Sequence, residues 1–260
     1  MIARGLNYEI RTGDCLEELG KLVHGAARLV VADPPYNFAV DYGNGAAADR
    51  LPVDQYRDWC GEWVRRSVDL LTYDGSLWLI VPDEHAAELV VLAKSLGLTL
   101  RNWVKWYETF GVNCRRKFNR TSRHVLYFTR DPKRFVFNAD AVRVPSARQR
   151  KYNDRRANPA GKLPDDVWAF PRVAGTHAER LKGFPTQLPV AMLRRIVAVA
   201  SNPGDLVLDP FCGSGSTGAA AIAHGRRFIG IEKNPDYAAR AARRLDALTA
   251  ALDNDREGES

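Results

Sequence analysis

Leu206-Val207-Leu208-Asp209-Pro210-Phe211-Cys212-Gly213-Ser214-Gly215-Ser216-Thr217-Gly218 is the stretch on which the fold turns. A short apolar run ends in an acidic residue, a glycine-rich turn follows, and small residues then open a helix. This is the pattern of a buried strand with a loop at its carboxyl end, where open α/β sheets bind their ligands. Leu29-Val30-Val31 leads in the same way into Asp33-Pro34-Pro35-Tyr36. Two such loops, far apart in the chain, predict one site built from two halves.

Gly213 to Gly218 also matches G-x-G-x-x-G, the dinucleotide fingerprint, and Glu232 after the next strand suits ribose hydroxyls in either reading. Placement separates the two. A dinucleotide fold opens two βαβ halves with this motif, whereas only 42 residues follow Gly218 here. The other strands must then precede the motif, which makes the fold circularly permuted. A cofactor with a single ribose, such as S-adenosylmethionine, needs only the half that is present.

In the early loop each position has a chemical task. Pro34 and Pro35 fix φ and carry no N–H, so the backbone is stiff and offers carbonyl oxygens only. An exocyclic amine needs acceptors, and the Asp33 carboxylate and Pro34 carbonyl supply two. Accepting those hydrogens draws the nitrogen toward sp3 geometry and raises its lone pair for attack on an electrophilic methyl. Tyr36 is placed to stack on the ring that bears the amine, a contact worth ~1–3 kcal/mol. A rigid turn alone would also use Pro-Pro, but it leaves Asp33 and Tyr36 without a role.

Working outward, strands are expected at 8–11, 28–32, 76–81, 99–106, 124–129, 205–208 and 228–231. Helices are expected near 16–22, 54–71, 84–96, 189–200, 216–224 and 235–250. The alternation predicts an α/β fold with a doubly wound, mostly parallel seven-stranded sheet. Trp59 and Trp63 lie on the apolar stripe of the helix over 54–71, and core packing is the expectation for both. The glycine- and alanine-rich stretch 42–49 is a candidate mobile loop. The domain divisions expected are a catalytic part over 1–130, an insertion without sheet structure over 131–184, a cofactor-binding part over 185–250, and a disordered acidic tail over 251–260.

No apolar run approaches the ~20 residues that span a bilayer, and residues 1–9 lack the apolar stretch of a signal peptide. Cys15, Cys60, Cys114 and Cys212 form no C-x-x-C pair. That spacing argues against zinc or a disulfide framework, implies no metal, and fits a reducing cytoplasm. The net charge of +7 is uneven: residues 101–156 hold 16 Lys/Arg against 4 Asp/Glu, leaving −5 for the remainder. An excess of this size in one segment is the footprint of a phosphate backbone.

With both loops read, the chain resembles the β-class amino-group DNA methyltransferases, in which a D-P-P-Y motif precedes the target-recognition region and the F-x-G-x-G donor motif. The resemblance runs from Gly13-Asp14 to the final helix. It implies the fold of S-adenosylmethionine-dependent methyltransferases with a target-recognition insertion, catalysis at Asp33, Pro34, Pro35 and Tyr36, and double-stranded DNA as partner. Asp14 and Cys15 would lie near the donor's adenine. Asp209, Phe211, Gly213, Gly215 and Thr217 would belong to its methionine side, and Glu232 would hold its ribose. The family's Pro-Thr-Gln-x-Pro element is matched by Pro185-Thr186-Gln187-Leu188-Pro189, so Thr186 and Gln187 join the donor site. Many members have His before that element and Lys within it; here Phe184 and Leu188 stand there, which puts a charged donor contact in doubt. Asp at the first catalytic position favours adenine N6 in the family, with cytosine N4 as the alternative. A flipped-out base is required in either case. Arg115, Arg116, Lys117 and Arg120 are the candidate DNA contacts, and the oligomeric state is left open between monomer and homodimer.

Two other readings compete. RNA and protein-glutamine methylases place a related Asn-Pro-Pro-Tyr loop after the donor motif, the reverse of the order here. A DNA-binding module without catalysis would not need both loops intact.

Overall fold

The structure, a computed structural model, describes every residue except Asn44, Asn153, Glu259 and Ser260, and only the backbone of Val112 and of 256–258. One sheet runs through the molecule. Its strands, in spatial order, are β1 (Ile2–Arg4), β2 (Tyr8–Thr12), β9 (Arg227–Glu232), β8 (Leu206–Asp209), β3 (Ala27–Ala32), β4 (Leu71–Val81), β6 (Arg120–Thr129), β5 (Thr99–Val112) and β7 (Val167–Ala169). From β2 to β4 all neighbours are parallel, while β6 runs antiparallel to both β4 and β5.

The parallel centre is apolar on both faces, as strands covered twice must be. Leu29 and Val31 of β3 point into one core, Val30 and Ala32 into the other. The first core is closed by α5 (Val190–Ala200), α6 (Ser216–Ala223) and α7 (Pro235–Gly258), through residues such as Met192, Ile196, Ala220 and Leu245. The second is closed by α1 (Cys15–Leu19), α2 (Val53–Leu70) and α3 (Asp83–Ser95), through Leu19, Trp63 and Leu89. A single turn, α4 (Ala147–Arg150), lies within the basic segment. Among the described residues no helix is long and apolar enough to cross a membrane.

The seven expected strands are present, and two three-residue edge strands, β1 and β7, join them. β7 corrects the expectation that 131–184 is free of sheet: Val167–Ala169 pairs in parallel with Lys105–Tyr107. A single side chain explains it, since Trp168 is buried and stacks on Trp78 with centroids 6.2 Å apart. Three residues are too short for a periodic signal. The tail is also corrected. α7 continues through Gly258 rather than ending near residue 250, because Leu248 and Leu252 extend the stripe begun by Leu245 against the first core. Residues 259 and 260 of the expected tail lie outside the described residues.

Two glycines hold α6 in place. Gly215, its N-cap, has φ +74°, and a Cβ there would lie 3.2 Å from the Cβ of Ala241 on α7. At Gly218 a Cβ would come within 2.7 Å of the Phe228 ring. A left-handed conformation costs an ordinary residue ~1–2 kcal/mol. Gly215→Ala should therefore lower the melting temperature by roughly 2–8 °C, read by scanning calorimetry; an unchanged transition would mean that α7 relaxes without penalty.

Candidate active site

β3 and β8 are neighbours in parallel, with Leu29 beside Val207 and Val30 beside Leu208. The loops that follow them therefore leave the same edge of the sheet. They line a single cavity of about 420 Å³, within the usual range for small-molecule sites. Asp33, Pro34, Pro35 and Tyr36 form one side. Asp209, Phe211, Gly213, Thr217 and Glu232 form another, with Asp14, Cys15, Thr186 and Gln187 at the ends. Of the expected site residues in these loops, Gly215 alone is not on the wall; its task is the close approach to α7.

Around the early loop a buried ionic chain fixes every member. The Tyr36 hydroxyl donates to the Asp33 carboxylate and accepts from Arg123 Nη1 at 3.1 Å. Arg123 Nε lies 3.0 Å from Glu108 Oε1, and its guanidinium stands over the rings of Tyr36 and Trp106 at 5.2 and 5.6 Å. Burial pushes the Asp33 carboxyl up to about 6, against the pull of Arg123 and the Tyr36 hydroxyl, with Glu108 adding to the rise. The Pro35 carbonyl accepts from the Tyr56 hydroxyl at 2.8 Å. No donor among the described residues reaches the Pro34 carbonyl, so Asp33 and Pro34 remain acceptors on the cavity wall. Tyr36 is only 8% exposed; its hydroxyl acts as a tether as well as its ring lining the site.

Past Tyr36 the backbone is strained, with Asn37 at φ 61° and Ala39 at φ 58°. Such residues cost ~1–3 kcal/mol each and persist where their surroundings over-determine them. Here the buried Asp49 carboxylate does so, accepting from the N–H groups of Asn37, Phe38 and Val40 at 2.9, 3.1 and 3.0 Å. Tyr42, at the start of the stretch expected to be mobile, is hydrogen-bonded through its hydroxyl to Thr186, and its carbonyl accepts from Asn234 Nδ2 at 3.0 Å. The stretch is thus held across the cavity at Tyr42 and, at Asp49, to the backbone of residues 37–40.

On the opposite wall Gly213 has φ +46°, and its N–H donates to Glu232 Oε2 at 3.0 Å. Glu232 Oε1 accepts from the Asn234 N–H at 2.8 Å. Asp209 accepts from the Phe211 N–H at 2.9 Å and from Thr217. Burial pushes Asp209 up to about 7, with Asp33 and Glu232 contributing, and burial also raises Glu232. Asp209 is raised by both Asp33 and Glu232, and this concentration of negative charge around one cavity suits a ligand that carries a positive charge. Phe211 packs against Trp59 and Trp63, centroids 5.6 and 5.2 Å apart. Trp63 is core, as expected, whereas Trp59 is partly exposed and lines the cavity. Asp14 caps α1 through the Leu16 N–H and meets Lys233 at 3.3 Å. The Gln187 amide is tied to Glu179 and Leu181, and Phe184 is buried beneath Arg240 and against Tyr237.

The basic candidates divide. Arg115, Arg116 and Lys117 are exposed in the turn between β5 and β6. Arg120 is not free: it pairs with Asp83 at 3.5 Å and with Glu84, and stands over the Phe38 ring. It braces the hairpin against α3. Sequence reasoning missed this brace, and it missed Arg123, Glu108, Tyr42 and Asp49, since a partner across the fold leaves no local signal.

A family model described as DNA methylase matches residues 27–243. The DNA adenine methyltransferase YhdJ of Escherichia coli K12 is 37% identical over 245 residues, 91% of this chain and 82% of its own. The crystal structure of the M1.HpyAVI–SAM complex matches with a TM-score of 0.65 at 22% identity, over 92% of this chain and 98% of that one. The PvuII cytosine-N4-specific DNA methyltransferase matches with a TM-score of 0.69 at 16% identity, over 95% and 93%. The last two show likeness of fold.

The ionic chain predicts a titration. In wild-type protein the Asp33 carboxyl should titrate near 6, followed by carbon-detected NMR. Arg123→Leu removes the cation that opposes burial, so the midpoint should move higher. A midpoint near 4 in both proteins would contradict this account of the loop.

Proposed function

The chain belongs to the N6/N4 DNA methylase family, and from that membership we propose that it moves a methyl group from S-adenosylmethionine to the N6 amine of adenine in duplex DNA. The observation that carries the proposal is the shared cavity: the loop with the Asp33 and Pro34 acceptors and the glycine loop with its carboxylates line the same space. Adenine is favoured by the adenine-specific relative at 37% identity and by Asp33 at the first catalytic position. The cytosine-specific neighbour shares only the fold.

When bound, S-adenosylmethionine supplies an electrophilic methyl on a sulfonium sulfur. Glu232 would hold the ribose, Asp14 and Cys15 would flank the adenine, and Phe211, Gly213, Thr217 and Thr186 would hold the methionine side. Gly213 gives the ligand bare backbone, and the raised carboxylates of Asp209 and Glu232 gain from a nearby positive charge. The target base must leave the duplex to reach this site, at a cost of a few kcal/mol. Asp33 and the Pro34 carbonyl then accept the amine hydrogens, with Tyr36 against the base and Arg123 holding its hydroxyl. After attack the nitrogen is acidic, and the Asp33 carboxylate can take its proton. Residues 131–184, with the basic turn at 115–117, are the proposed target-recognition region.

The working form of Asp33 is the carboxylate, whose folded value is raised to about 6. Transfer should therefore be high at neutral pH and fall as pH drops through about 6. Asp33→Ala should lower turnover at least 100-fold, in line with the ~2.7–4 kcal/mol lost with a transition-state partner, while calorimetry shows donor affinity retained. Gly213→Val should do the reverse, losing donor affinity in a folded protein. Retention of a tenth of the turnover by Asp33→Ala would remove its role. Labelled S-adenosylmethionine with genomic DNA, digested to nucleosides, should yield N6-methyladenine; label on cytosine would replace the adenine reading.

Arg115, Arg116 and Lys117 should act on phosphates. Replacing two of them by Ala should weaken binding to cognate and scrambled duplexes alike and flatten the slope of log K against log salt by ~0.9 per lost contact. An unchanged slope would make them plain solvated surface.

A further inference from the structure

Phe118 is 99% exposed, at the turn between β5 and β6, directly after Arg115-Arg116-Lys117. A bare aromatic ring beside three exposed cations would suit a partner that is both anionic and stacked. The position of the turn is informative. Ala32, the last residue before the catalytic loop, pairs with Leu79 of β4, and Val81, two residues further, pairs with His124 of β6. Position 124 is thus level with the catalytic loop, and the chain from 123 to 118 rises beyond the edge of the sheet where that loop lies. Five residues reach up to ~16 Å at 3.3 Å each, more than the ~7.5–8.5 Å depth of a DNA groove.

The hairpin is aimed and braced. Between the Tyr107–Ser122 and Val112–Arg120 pairs, five steps along β5 face two along β6. Thr109 in this bulge has φ +69°, and a Cβ on Gly111 would lie 1.6 Å from the Arg120 carbonyl oxygen. Bulges of this kind re-aim a strand. Below it, Arg123 is joined to Tyr36 of the catalytic loop, and Arg120 to Asp83 and Glu84 of α3. These contacts fix the base of the hairpin against the catalytic loop and α3, and Phe118 projects from its tip.

We propose that Phe118 is a wedge that enters the base stack of duplex DNA and occupies the space left by the base taken into the cavity. The proposal rests on the DNA-methylation reading. Apolar side chains inserted between base steps are a known means of distorting a duplex, and the three cations before it would hold the backbone at that point. Phe118 touches neither donor nor amine, so it is a positioning residue.

Once the methylated sequence is identified by sequencing the product DNA, two duplexes separate the outcomes: one with the target base paired, one with it opposite an abasic position. Phe118→Ala removes a fully exposed side chain and leaves the cavity intact, so donor affinity by calorimetry should be unchanged. On the paired duplex its kcat/KM should fall by ~10- to 100-fold, the scale of one lost base–aromatic contact. On the abasic duplex, where unpairing is already done, it should stay within about threefold of wild type. Phe118→Trp should restore the paired substrate. Equal losses on both duplexes, or no loss on the paired one, would overturn the wedge. Absence of any methylated base after wild-type protein acts on genomic DNA, before either duplex is made, would remove the methylation reading itself, and the wedge with it.

Discussion

Leu29 pairs with Val207 and Val30 with Leu208, and this parallel register brings together two loops 176 residues apart in sequence. Each loop leaves a strand that is apolar on both faces, so neither can slip by one residue without turning side chains out of both cores. The helical layers fix the loops from behind, with Phe211 lodged against Trp59 and Trp63 and Tyr56 holding the Pro35 carbonyl. The proposed chemistry, between an amine on one wall and a methyl donor on the other, would depend on this register before it depended on any single catalytic group.

The cavity so formed carries a charge problem. Asp33, Asp209 and Glu232 are all raised by burial, and Asp209 is raised further by the other two. A carboxyl that titrates at about 7 when folded and at 3.8 when unfolded, as Asp209 does, makes folding less favourable as pH rises between those values. At neutral pH this strain is present, and the proposed sulfonium ligand would relieve it. At the early loop, Arg123 is the internal counter-charge that opposes the rise of Asp33 and keeps it ionised near neutrality. Part of the fold's stability is thus exchanged for function, as is common at active sites.

Much of this was legible in the sequence. Apolar runs ending in Asp33 and Asp209 marked buried strands with loops at their carboxyl ends, and the order of the motifs indicated the permuted sheet. β7 escaped because three residues give no period and Trp168 alone holds them. The end of α7 was misplaced because an acidic run looks unstructured unless Leu252 is seen against the core. Arg123 and Glu108 appeared only as part of a basic segment and an isolated acid, since their meaning comes from alignment across the β5–β6 hairpin. Arg120 looked like a phosphate contact because sequence does not show Asp83 and Glu84 beside it.

The central claim is that one cavity serves both the donor and the amine. A crystal structure with S-adenosylmethionine tests it most directly. The account predicts the donor against Gly213 and Glu232, with its methyl facing Asp33 and the Pro34 carbonyl. Donor bound outside this cavity, or held within it with the methyl turned away from Asp33, would contradict the account.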